Sequence, residues 1–177
     1  CRASPHARSR PLRSDRSDLT ARFSFEPDRF QLAAFDALDE GYHVVVSAPT
    51  GSGKTAVAEY GIAAALADGR RAFYTAPLKA LSNQKFRDLI ADHGAERVGL
   101  LTGDNSVRPE APVVVMTTEV LRNMIYAGSD ALDDLALVVL DEVHFLQDAY
   151  RGPVWEEVIL HLPPEVQLVC LSATVSN

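Results

Sequence analysis

The stretch Val44–Ile62, "VVVSAPTGSGKTAVAEYGI", runs from three consecutive valines, through a Pro, two Gly and a Lys-Thr pair, into an alanine-rich segment. A β-branched run closed by turn residues reads as a buried strand. The segment from about Lys54 to Ala67, stopped by Gly69, reads as a helix. Between them, Gly51 and Gly53 open backbone angles closed to other residues. Successive amides of residues 51–55 then point inward, at the positive end of the helix that follows. A strand feeding a helix through such a loop is one unit of an α/β fold.

The loop follows the pattern G-x-x-x-x-G-K-[ST], with Ala48 standing where the first Gly is usual. Thr50, Gly51, Ser52 and Gly53 form the cradle. Lys54 is placed to bridge a β- and a γ-phosphate, and the Thr55 hydroxyl to ligate Mg²⁺. The expected ligand is a nucleoside triphosphate with its metal. A second polar signal is "VVLDEVH", where Asp141 and Glu142 follow an apolar strand. Asp141 at the strand end suits a Mg²⁺ ligand, and Glu142 suits proton acceptance from an attacking water. Two acids in this position also suit a helix N-terminus.

Working outward, apolar strands alternate with helical patterns. Helices are expected over Asp28–Gly41, Leu78–Gly94, Thr118–Gly128 and Gly152–Leu162. Strands are expected over His43–Ala48, Arg71–Ala76, Arg97–Leu101, Pro112–Thr117, Leu135–Glu142 and Val166–Thr174. Continuous Val/Ile/Leu strands separated by helices imply a parallel sheet with helices on both faces. Ligands in such sheets bind beyond the carboxyl ends of the strands. "APTGSGKT", "TAPLKA", "LTGD", "TTE", "DEVH" and "SAT" all fall there.

The chain's 177 residues suit one domain. No apolar run approaches the roughly 20 residues of a membrane span, so no membrane partner is expected. Cys1 and Cys170 form no disulfide framework or metal spacing, which fits a reducing, cytoplasmic setting. The net charge is −7, yet residues 1–22 hold six Arg against Asp15 and Asp18. That Arg-, Ser- and Pro-rich leader is expected to be disordered, with the folded domain spanning 23–177. The acidic body excludes nucleic-acid binding by bulk charge, so a strand would be held by local amides, hydroxyls and a few cations.

"SAPTGSGKT", "DEVH" and "LSAT", in this order, resemble motifs I, II and III of superfamily-two DExH-box helicases. "TAPLKALSNQKFRDL", "GLLTGD", "VMTTEVLRNMIYAGS" and "DEVHFLQDAYRGPVWEEVILHLP" are similar to the superkiller/exosome-cofactor branch of RNA helicases, and especially its bacterial HelY-type members. The resemblance covers about residues 23–177. It implies a RecA-like P-loop domain that uses ATP and Mg²⁺ and moves 3′ to 5′ on single-stranded RNA, with DNA also open. It also implies that Phe25 stacks on adenine and Gln31 reads its edge, although Phe25 as core and Gln31 as an ordinary helix residue fit equally simple patterns. His144 resembles the histidine that links the γ-phosphate region to motif III, and Ser172 and Thr174 the hydroxyls that couple hydrolysis to strand binding.

The same resemblance puts the strand-binding surface at Pro77, Lys79, Ser82, Asn83, Thr102, Gly103, Thr117 and Glu119, where helix N-termini suit phosphodiester contacts. A second RecA-like domain is the expected partner, lying beyond Asn177 in a longer protein. Its arginine fingers would supply about 10³–10⁵ in rate, so these 177 residues alone are expected to hydrolyse slowly. The alternatives are a DNA helicase or translocase of the same superfamily, and a nucleotide-binding module inactive by itself.

Overall fold

A computed structural model describes residues 2–3, 15–143 and 152–174. The elements run β1 (Arg2–Ala3), α1 (Arg16–Thr20), α2 (Arg29–Asp39), β2 (Val44–Ala48), α3 (Thr55–Ala67), β3 (Arg71–Ala76), α4 (Lys79–His93), β4 (Val98–Leu101), β5 (Ser106–Val107), β6 (Val113–Thr117), α5 (Thr118–Tyr126), β7 (Leu135–Leu140), α6 (Gly152–His161) and β8 (Gln167–Ala173). They build one sheet in the order β1-β2-β8-β7-β3-β6-β4-β5. The six inner strands are parallel, and the two-residue strands β1 and β5 pair antiparallel at the edges.

Side chains alternate between the two faces of each strand, and the core divides accordingly. Val44, Val46, Tyr74, Leu137, Val139, Val169 and Leu171 pack with α1–α4. Phe73, Val114, Met116, Val138, Leu140 and Cys170 pack with Leu121 of α5 and Trp155 and Val158 of α6. Helices therefore cover both faces, as the strand pattern implies. Helix α3 is buried nearly all round, and a Cβ at Gly61 would come 2.9 Å from Leu137 Cδ2. Glycine there lets the helix press against β7.

The structure departs from sequence expectation in two places. Strand β2 reads as buried on both faces, yet Val45 is 46% exposed. Its strand lies next to the sheet edge, between β8 and the two-residue β1. The second departure is the leader. Residues 16–20 are helical, capped by Asp15, which accepts from Ser17 N. Arg16 pairs with Asp36 at 2.6 Å, and its Nε donates to Asp39 at 2.9 Å. Leu19 is buried against the α1–α4 face. Within the stretch expected to be disordered, Asp15–Thr20 thus packs against the domain and Arg2–Ala3 pairs with β2. One apolar residue and one arginine with distant acidic partners suffice to order this short helix.

Candidate functional site

The loop after β2 closes with Ser52 N donating to Pro49 O at 3.2 Å, and α3 begins at Thr55. Gly51 and Gly53 have φ of 81° and 82°, the left-handed region that glycine enters without penalty. Gly53 also faces a close neighbour: a Cβ there would sit 2.6 Å from Gln31 Nε2. Gln31 is buried, and its Nε2 donates to Gly53 O at 2.9 Å. Its Oε1 accepts from Asp28 N at 2.9 Å, while Asp28 Oδ1 accepts from Gln31 N at 3.1 Å. This reciprocal cap starts α2 and fixes the glutamine against the loop. Phe25 stands nearby in sequence, 47% exposed, its ring 5.2 Å from Phe23.

Lys54 caps α3, and its Nζ lies 3.4 Å from Ala48 O, a long contact. Among the described residues the Ser52 hydroxyl is buried without a hydrogen-bond partner. An orphaned donor in a glycine-rich loop, at a helix N-terminus, is the environment an anion satisfies. Among the described residues no three His, Cys, Asp or Glu side chains gather to hold a metal ion.

Asp141 follows β7 and shares the parity of Leu137 and Val139, so it faces α3, the helix that the glycine loop opens. Its N–H donates to Thr75 O at 3.0 Å, and its Oδ1 accepts from Glu142 N at 2.8 Å. Its Oδ2 accepts from the Tyr74 hydroxyl. Tyr74 is 1% exposed. Burial first, and then the Asp141 charge, push its phenol well above the ordinary range, so it stays a donor. Glu142 has φ of 58°, a left-handed turn that costs a non-glycine residue about 1 kcal/mol or more. The turn swings Glu142 out of the alternation that orients Asp141.

The loop and the acids lie at the same edge of the sheet, but not on adjoining strands. Strand β8 runs between β2 and β7, with Ser172 opposite Ser47 and Cys170 opposite Leu140. Chain order carries no information about such an insertion. Thr174 N donates to Ala48 O at 3.2 Å, so the "SAT" segment is tied to the root of the glycine loop. Ser172 is half-buried and Thr174 exposed. His144 lies outside the described residues.

The residues expected to meet a strand lie at the ends of β3, β6 and β4, on the other half of the same edge. Pro77, Asn83 and Thr117 are half-buried, and Lys79, Gly103 and Glu119 are exposed. Ser82 is fully buried, its hydroxyl donating to Leu78 O at 3.2 Å and Met116 O at 3.4 Å, so it fastens α4 to β6. Thr102 is also buried, its hydroxyl turned to Asp104 Oδ1 at 3.2 Å. Asp104 Oδ2 takes Lys79 as its ion-pair partner. Sequence reasoning missed Asp104 and Tyr74. The available signal for Tyr74 was a tyrosine inside an otherwise apolar buried strand, since a buried phenol needs a partner.

Comparison with known proteins places this geometry. The DEAD/DEAH box helicase family profile matches residues 28–177. The probable helicase HelY of Mycobacterium tuberculosis is 63% identical over 159 residues, which cover 90% of this chain and 18% of that protein. The chloroplastic DExH-box ATP-dependent RNA helicase DExH15 of Arabidopsis thaliana is 51% identical, covering 92% of this chain and 14% of its own length. Superkiller complex protein 2 of Homo sapiens is 53% identical, covering 88% and 12%. The chain thus spans less than a fifth of these curated relatives. The Hef helicase domain of Pyrococcus furiosus superposes with a TM-score of 0.65 at 26% identity, over 92% of this chain and 35% of that one. The helicase MrfA bound to DNA superposes with a TM-score of 0.72 at 23% identity, over 100% and 29%, which speaks to the fold.

Proposed function

The chain belongs to the DEAD/DEAH box helicase family, and we propose on that footing that it is the ATP-binding motor domain of an ATP-dependent RNA helicase. The observation that carries this is geometric: the Gly51–Thr55 loop opens α3, and Asp141 leaves the same sheet edge toward the face α3 covers. In this reading the amides of the loop and Lys54 hold the phosphates, and the Thr55 hydroxyl and Asp141 hold Mg²⁺. The bound cation would neutralise phosphate charge as it develops. Glu142 accepts a proton from the attacking water. Phe25 offers its exposed ring to adenine, and Gln31 reaches the base with the amide hydrogen not committed to Gly53. Ser172 and Thr174 relay between the loop and the strand surface, with His144 assigned the same coupling by resemblance.

In the longer protein, hydrolysis would drive closure against a second RecA-like domain and 3′ to 5′ movement on a single strand. RNA is the favoured strand because relatives at 51–54% identity carry RNA-helicase or superkiller names. The setting we assign is the reducing cytoplasm, in keeping with Cys170, a buried free thiol. Steady-state hydrolysis with and without single-stranded RNA tests the division of labour. The 177 residues are expected to bind nucleotide and turn it over very slowly, and robust RNA-stimulated turnover by them alone would contradict it. Competition of RNA against DNA in the longer protein tests strand choice.

A further inference from the structure

We infer that Tyr74 is a positioning residue for the metal site: its buried hydroxyl holds the Asp141 carboxylate in the orientation that receives Mg²⁺. The inference rests on the nucleotide reading above and adds a residue to it. Two consecutive residues of β3 grip the tip of β7. Thr75 takes the Asp141 N–H on its carbonyl, at 3.0 Å, and gives its own hydroxyl to Val139 O at 3.0 Å. Tyr74 donates to Asp141 Oδ2, while Glu142 N donates to Oδ1 at 2.8 Å. Each carboxylate oxygen therefore has one fixed donor. That restrains the carboxylate plane and leaves acceptor capacity on both oxygens.

Nothing in the packing of β3 asks for this hydroxyl. The strand reads Arg-Ala-Phe-Tyr-Thr-Ala, and the position is fully buried among apolar neighbours of the α1–α4 face. A phenylalanine would fill it equally. The ring is itself held by Lys85 of α4, whose Nζ lies 5.0 Å from the centroid. The phenol thus reaches the sheet edge from a rigid place, and the only group it meets in the described structure is the acid. Partners of this kind, one shell behind a metal ligand, typically change metal affinity about 10–100-fold when removed.

The test is Mg²⁺ titration of fluorescent-ATP binding by the 177-residue chain, starting from EDTA, for wild type, Tyr74→Phe, Asp141→Asn and the double variant. Thermal unfolding without nucleotide is recorded for each. Tyr74→Phe is expected to raise the half-saturating Mg²⁺ concentration about tenfold, to leave metal-free binding unchanged, and to change nothing further in the Asp141→Asn background. Should Phe at this position prevent folding, Tyr74→Leu, which also removes the oxygen, takes its place. A variant that melts lower yet titrates with Mg²⁺ as wild type does would overturn the inference and leave the nucleotide reading standing. Wild-type binding indifferent to Mg²⁺ would bring down both.

Discussion

Around β2 and β7, Gln31 and Asp141 at the carboxyl edge of the sheet are held by other protein groups, whereas around β3, β6 and β4 the side chains of Lys79, Asp104 and Glu119 stand in solvent. Gln31 is spent on Gly53 and Asp28, and Asp141 on Tyr74, Thr75 and Glu142. On the other half, Lys79 and Asp104 pair across open water, with side chains 51% and 68% exposed. In the proposed function the difference suits each half to its part. A metal and a phosphate chain need fixed geometry, which buried, hydrogen-bonded groups supply. A sliding strand needs contacts that form and break at low cost, which exposed, solvent-screened charges allow. Tyr74 and Thr75 sit at the seam, since the strand that carries them leads directly into Pro77 and Lys79.

The contrast breaks most readily at Glu142. In a protein that also carries the second RecA-like domain, Glu142→Gln should preserve ATP binding and cut turnover by about 10²–10⁴, read as equilibrium binding beside steady-state hydrolysis. Lys54→Ala should instead lower ATP affinity about 10–100-fold, because a charge-assisted hydrogen bond is worth about 1.5–3 kcal/mol. Equal binding loss in both variants would erase the distinction between their roles. Gln31→Ala should weaken nucleotide binding by up to about tenfold, with strand affinity in the absence of nucleotide unchanged, since the side chain serves the glycine loop, the start of α2 and the base. The smallest effect belongs to the exposed half. Asp104→Asn frees Lys79 and removes a negative charge, so single-strand affinity should rise about two- to fivefold at low salt. The gain should shrink as salt is added, because the site is screened. A salt-independent gain would place Lys79 in the fixed half after all.

Much of this was legible in the sequence because it is local. The valine run, the paired glycines and the Lys-Thr step specify strand, turn and helix within twenty residues, and the Asp-Glu pair marks the end of another strand. What was not legible depends on distant partners. Insertion of β8 between β2 and β7 is a choice among sheet orders that the strands' own patterns do not encode. Val45 reads as core and is exposed because of where its strand falls in that order. The segment around Leu19 reads as polar leader and is ordered by Asp36 and Asp39, which lie in the next helix. Ser82 reads as a helix-start hydroxyl available to a ligand, and is buried because α4 leans on β6. Tyr74 reads as one more strand former, and only the fold brings its oxygen to Asp141.

The central claim is that the glycine loop and Asp141 serve one magnesium–nucleotide across the intervening β8. The measurement that meets it most directly is a crystal structure of this chain with Mg²⁺ and a non-hydrolysable ATP analogue. The account predicts the triphosphate on the amides of residues 51–55 with Lys54 against it, and the cation shared by the Thr55 hydroxyl and, directly or through water, Asp141. A nucleotide bound elsewhere, or one whose cation ignores Asp141, would contradict it.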